Sequence, residues 1–206
     1  MADIYRRLND IGFDRKFVLS ATLPARWDDT DANSDSGRQR AEDAICAALG
    51  IDQNTFEAEE TIINMAGAEK AHYLSPPQKL TPALTSVIVI AARIAQLCRD
   101  SLIEPLSCWF ADIEALNLRQ MVTDKHRVVT FRSLLESSWA LGVPVAPMCV
   151  LPSKAASIDA IIDATAGQPV VLLSSRHQSP AWMMWHLAYA LSHIKNIQPG
   201  QRVVLA

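Results

Sequence analysis

Glycine is scarce in this chain, seven among 206 residues, and the seven are isolated from one another. There is no GxGxxG, no P-loop and no GxSxG, so nucleotide-dependent and α/β-hydrolase chemistry have no footing. The four cysteines (Cys46, Cys98, Cys108, Cys149) form no CxxC pair and no regular framework. They read as buried, reduced thiols of a cytosolic protein. No apolar stretch follows Met1, so no export signal is expected and the expected compartment is the cytoplasm. The most hydrophobic run, residues 83–98, contains Arg93, and at about 16 residues it is short of the roughly 20 a spanning helix needs. It is expected to be a core helix, with no membrane partner. Excess positive charge is also lacking: the formal net charge is -3, which advertises neither nucleic acid nor an anionic membrane as a partner. What remains, 50% hydrophobic and 20% charged residues, describes a globular chain and excludes collagen-like or disordered readings.

Charge divides the chain unevenly. Through residue 80 there are 9 basic and 14 acidic side chains, and beyond it 10 basic and 8 acidic. The shift coincides with Ser75-Pro76-Pro77, which breaks helix, and it sets a boundary between a helical part at 1–75 and an α+β part at 80–206. In the first part Ile4, Leu8 and Ile11 share a helical face that stops at Gly12. A short helix is expected over 14–23, an acidic loop over 28–36, and a helix over 37–49 with Gly50 as its left-handed end. In the second part helices are expected over 81–100, 112–121 and 131–141, the last ending at Gly142. Val143-Pro144-Val145 reads as a short strand whose proline demands an edge or first position. Residues 157–165 and 169–174 flank Ala166-Gly167-Gln168 as a β-hairpin.

Ser179-Pro180 is a strong helix start. From there to Ile194 the sequence is apolar nearly all round, which predicts a helix buried on most sides, and the histidines and tyrosine inside it need an account. His186 and His193 are seven apart and lie roughly 10 Å from each other along the axis, so one metal cannot take both. Tyr189 and His193 are four apart, the spacing at which two side chains converge. In zinc hydrolases of the HExxH type two histidines hold that spacing, and the glutamate after the first is the general base. Here the five positions read Tyr189-Ala190-Leu191-Ser192-His193.

From about Phe131 onward the chain resembles the ImmA/IrrE family of zinc metallopeptidases, often associated with Xre-type helix-turn-helix regulators. The likeness runs through Phe131-Arg132-Ser133-Leu134-Leu135, Trp139-Ala140-Leu141-Gly142-Val143-Pro144-Val145, and Gln168-Pro169-Val170-Val171-Leu172-Leu173-Ser174. It continues in Ser179-Pro180-Ala181-Trp182 and in His186-Leu187-Ala188-Tyr189-Ala190-Leu191-Ser192-His193-Ile194, which falls where the family has its HELGH-like helix, with Pro199-Gly200 after it. The stretch from Asp3-Ile4-Tyr5 to Asp28-Asp29 is similar to the leading region of some longer members. About a third of the chain is covered closely and most of it loosely.

The resemblance implies a small zincin-like domain, a short sheet packed on the former HExxH helix. The departures from the family decide the expected activity. Tyr189 stands at the first zinc histidine, and a phenol with a pKa near 10 is a poor substitute for imidazole. Ala190 stands at the glutamate base, and a methyl group cannot take a proton from water. His193 alone keeps its motif identity. The family's third ligand lies on a later helix, and the sequence as given ends 13 residues after His193, so a member that is short at this end is expected. The expectation is therefore no enzyme, no metal and no cofactor. A non-catalytic relative would act by binding a macromolecular protein partner as regulator, decoy or assembly subunit, in a mobile-element setting, with strand addition at a sheet edge as one route and homo-oligomerisation open. Among the five tryptophans (Trp27, Trp109, Trp139, Trp182, Trp185), most are expected in the core, and any that are exposed would anchor an interface.

The alternative is an Xre-like DNA-binding transcriptional regulator. Ala44 to Phe56 is similar to the helix–Gly–helix core of a helix-turn-helix, in which Gln53, Asn54 and Thr55 would open a recognition helix and read base edges. Glu57, Glu59 and Glu60 follow and would repel phosphate. A third reading, an active peptidase with unusual ligands, requires zinc held at His193. His72, His126 and His177 have no paired spacing and read as ordinary surface or core histidines, and Cys149 has no local histidine to activate it.

Overall fold

The computed structural model describes residues 1–53, 71–73, 81–102, 115–155, 157–174 and 179–205. They are α+β: seven helices and one five-stranded mixed sheet. The chain divides into two compact units, one of residues 1–69, 79–93 and 150–156, the other of residues 70–78, 94–149 and 157–206.

The first unit is built from helices. α1 (Ala2–Asp10) buries Ile4 and Leu8. Asp14 caps α2 (Arg15–Phe17), accepting from the Phe17 N–H, and a π-helical turn, Val18–Thr22, carries the chain on. The acidic stretch after it is not an open loop. Asp29–Asn33 is a 3₁₀ turn closed by a capping box between Asp28 and Asp31, and α3 (Asp35–Leu49) starts two residues earlier than the apolar stripe suggests, with Ser34 accepting from the Gly37 N–H. Asp29 is the reason this acidic segment holds still. The Tyr5 hydroxyl donates to it at 2.6 Å, Arg15 at 2.6 Å and the Trp27 indole N–H at 3.2 Å. The Tyr5 hydrogen bond is foremost in holding the Asp29 carboxyl below its ordinary range. Burial, together with the negative Asp29 acceptor, pushes the Tyr5 phenol up to about 12. Gly12 is obligatory: its φ is +96°, and a side chain there would overlap the Pro82 carbonyl. Gly50, at φ 68°, ends α3 in the left-handed conformation its position predicts.

α4 (Pro82–Asp100) is the one helix among the described residues long and apolar enough to cross a membrane. Half of its apolar window is buried within the fold. Its residues 82–93 belong to the first unit and 94–100 to the second.

The second unit holds the sheet: β1 (Ala71–Tyr73), β2 (Val145–Met148), β3 (Ala160–Asp163), β4 (Val170–Ser174) and β5 (Arg202–Leu205), in the order β1-β5-β3-β4-β2. β3 and β4 form the expected hairpin around Gly167 (φ 88°), with Asp163 opposite Val170. β2 lies at an edge, parallel to β4. It starts after Pro144 rather than across it, which leaves the Pro144 carbonyl to accept from the Val171 N–H. β5 is antiparallel to β3 and parallel to β1. Every residue of β3, β4 and β5 is buried, which explains their unbroken apolar runs. One face (Ala160, Ile162, Val171, Leu173, Val203, Leu205) packs in a single core with Leu187, Ala190, Leu191 and Ile194 of α7 (Pro180–Ile194). α5 (Ala115–His126) and α6 (Phe131–Ala140) add Val122 and Leu134 to that core. α6 starts at a capping box between Thr130 and Ser133, and Gly142 follows it at φ 80°.

A buried charge cluster fastens the sheet. Asp163, fully buried at the end of β3, faces Arg202 at the start of β5. Its Oδ2 accepts from Arg202 at 2.6 Å, and its Oδ1 from Arg99 and from the Thr165 hydroxyl, each at 2.7 Å. Arg99, from the last turn of α4, also donates to the Asp163 and Gln168 carbonyls. Burial alone would raise the Asp163 pKa, but the Arg202 charge and the hydrogen bonds from Thr165 and both arginines outweigh it and hold the carboxyl below its ordinary value of 3.8. Because the folded pKa is lowered, the stability Asp163 contributes is complete above that ordinary value and is lost as the pH falls through the folded one. Asp163→Asn is predicted to cost about 3–5 kcal/mol at neutral pH, since the buried Arg202 and the largely buried Arg99 lose their counter-charge. In denaturant titrations the gap to the wild type should narrow as the pH drops below about 4, where the wild type surrenders the same interaction.

Candidate functional site

The motif residues all lie on α7, which packs on β3, β4 and α6. Pro180 sits at its first turn, but the Ser179 side chain makes no capping bond; the start rests on proline geometry and on the Ser179 carbonyl accepting from the Met183 N–H. Within the helix there is no Asp, Glu, Lys or Arg.

The expectation of a helix buried on most sides is overturned. Leu187, Ala190, Leu191 and Ile194 are buried, whereas Trp182 is 56% exposed, Trp185 62% and Tyr189 43%. These three project from the side opposite the sheet, as the 3.6-residue period requires. Apolarity all round does not by itself bury a helix; that depends on how many neighbours surround it. Similarly, Cys149 is exposed and Cys98 only half-buried, against the expectation of buried thiols; Cys46 is buried and Cys108 lies outside the described residues.

The ring of Tyr189 meets that of His193 edge-on, centroids 4.7 Å apart. The Tyr189 carbonyl accepts from the Ser192 hydroxyl at 2.7 Å. His193 Nε2 is buried and has no hydrogen-bond partner among the described residues. Ala190 is fully buried in the core facing the sheet. His186 stands apart from this pair: its Nδ1 is 3.7 Å from an Asp159 oxygen, beyond hydrogen-bond range, and its ring stacks with Trp182 at 5.9 Å. Among the described residues no three His, Cys, Asp or Glu side chains come together as a metal-binding set. The Tyr189–His193 pair can offer one phenol and one imidazole, with a methyl group where a base would be needed.

Of the DNA-reading candidates, Gln53 is half-buried with helical backbone, while Asn54 and Thr55 lie outside the described residues. Trp109 and His177 also lie outside them; Trp139 is exposed, and Trp27 is half-buried on Asp29.

Sequence reasoning missed a groove beside the aromatic strip. Leu118, Arg119 and Val122 of α5, Val129, Leu134 of α6, and Met184, Trp185, Ala188, Leu191, Ser192 and Lys195 line a cavity of about 520 Å³. No carboxylate is among these residues; the charged ones are Arg119 and Lys195. The available signal was the charge-free run of α7 ending at Lys195, which reads equally well as core.

Comparison of the chain with protein-family models, curated proteins and solved structures gives no significant match.

The one-sided burial of α7 generates a prediction. Leu187→Ala should cost about 2–5 kcal/mol, as deletion of a fully buried leucine does. Trp185→Ala, despite removing a far larger side chain, should change stability by less than about 1 kcal/mol, because its ring stands in water. Equal losses in chemical denaturation would contradict this assignment of faces.

Proposed function

We propose that the chain is a non-catalytic relative of the ImmA/IrrE metallopeptidases, with a zincin-like second unit, that acts by binding a macromolecular protein partner as a regulator, decoy or assembly subunit. The observation that supports this reading most is α7 itself. At the two positions where a peptidase needs a zinc ligand and a base it carries Tyr189 and Ala190, and the outer side of the same helix offers apolar surface to solvent. Contiguous exposed apolar surface of this kind is a mark of interaction sites. Activating water requires a group to polarise it and a group to take its proton. A phenol, one histidine and a buried methyl group supply neither.

A second reading, an Xre-like DNA-binding regulator, draws on one observation: α3 ends at a left-handed Gly50 and the backbone is helical again at Gln53, as at the start of the turn in a helix-turn-helix. The acidic balance of the first 80 residues opposes it.

Purified protein incubated with zinc and unstructured peptides should show no scission, and Tyr189→Phe should leave that result unchanged. Zinc-dependent cleavage abolished by His193→Ala would overturn the reading. Duplex DNA should give no salt-dependent mobility shift; a shift that weakens steeply as salt rises would favour the DNA-binding alternative.

A further inference from the structure

The groove between α5, α6 and α7, together with the aromatic strip beside it, has a definite chemical character. Its walls are apolar, its charged residues are two cations, and neither the Arg119 guanidinium nor the Lys195 ammonium makes an ion pair or hydrogen bond with a described residue. We infer that this groove receives an amphipathic α-helix of a partner protein, whose apolar stripe seats against Met184, Trp185 and Val129 and whose flanking carboxylates meet Arg119 and Lys195. The inference rests on the reading of the chain as a binding protein and names the surface and the partner's chemistry.

Three observations select this occupant. The cations call for an anionic partner, since complementary charge sets both register and partner choice. On α7 the groove is lined from Met184 to Lys195, about 18 Å of helix, and the exposed Tyr189 widens the apolar surface beside it. That length matches a partner helix of a few turns and exceeds what a single small amphiphile would cover. Finally, the site is concave, and a concave groove takes a helix laid into it, whereas a bilayer surface favours a convex apolar face. A second copy of α7 is a poor occupant, because that helix has no carboxylate to offer.

Fluorescence anisotropy of the full chain with labelled synthetic helices tests this. One peptide of about 18 residues, long enough to hold a helix, carries leucines at helical spacing with glutamates on both flanks; its twin has lysines in place of the glutamates. The glutamate peptide should bind at least about tenfold more tightly than the lysine peptide. Arg119→Glu combined with Lys195→Glu should reverse that preference, and Trp185→Ala should weaken binding about tenfold or more. All of these variants replace exposed side chains, so their thermal melts should match the wild type. Equal binding of both peptides, binding of neither, or binding only to phosphatidylserine vesicles or to dodecanoate would overturn the assignment. Each outcome separates the two claims: cleavage of the bound peptide in zinc would sink the non-catalytic reading and spare the groove, while loss of charge preference would do the reverse.

Discussion

Asp163 is the residue on which the second unit depends. A carboxylate with no exposure is normally a liability, and here it is tolerated because both oxygens are fully engaged by Arg202, Arg99 and Thr165. The geometry does more than neutralise charge. Arg202 lies opposite Asp163 in the β3–β5 register, so the ion pair fixes which residue of β5 meets which residue of β3. A slip of one residue would turn Val203 and Leu205 away from α7. Arg99 ties the end of α4 to the turn that joins β3 to β4. Sheet register, hairpin and helix end are thus set by one buried anion.

With the register fixed, one sheet face becomes a continuous apolar floor for α7. The helix spends Leu187, Ala190, Leu191 and Ile194 on that floor. This also determines the fate of the motif positions. Ala190 points into the core, where a methyl group packs and a charged glutamate would be desolvated. Tyr189 and His193 point away from it and occupy each other edge-on. On the opposite side Trp185 stays exposed, 62% of its surface open.

Much of this was legible in the sequence, for identifiable reasons. Local chemistry marked the ends of elements: Gly50 and Gly142 ended helices at the residues their backbone freedom predicts, and Ala166-Gly167-Gln168 announced the hairpin. Non-local pairing was not legible. β1 and β5 are three and four residues long, and Val203-Val204-Leu205 is too short a run to declare a strand until β3 is known to lie beside it. The network that holds the acidic stretch was hidden because Asp29 takes donors from Tyr5 and Arg15, both distant in sequence. The one-sided burial of α7 was not legible because hydrophobicity alone cannot separate a helix surrounded by protein from one with a side open to solvent. The groove escaped for the same reason: Arg119 and Lys195 come together only in the fold.

The central claim is that α7 gives one face to the fold and offers the other for recognition. Hydroxyl-radical footprinting of the free chain, read by mass spectrometry, addresses it directly. The account requires Trp185 and Tyr189 to be oxidised readily while Leu187 and Leu191 are spared. Protection of both aromatic rings to the level of those leucines would show the outer face already covered and contradict it.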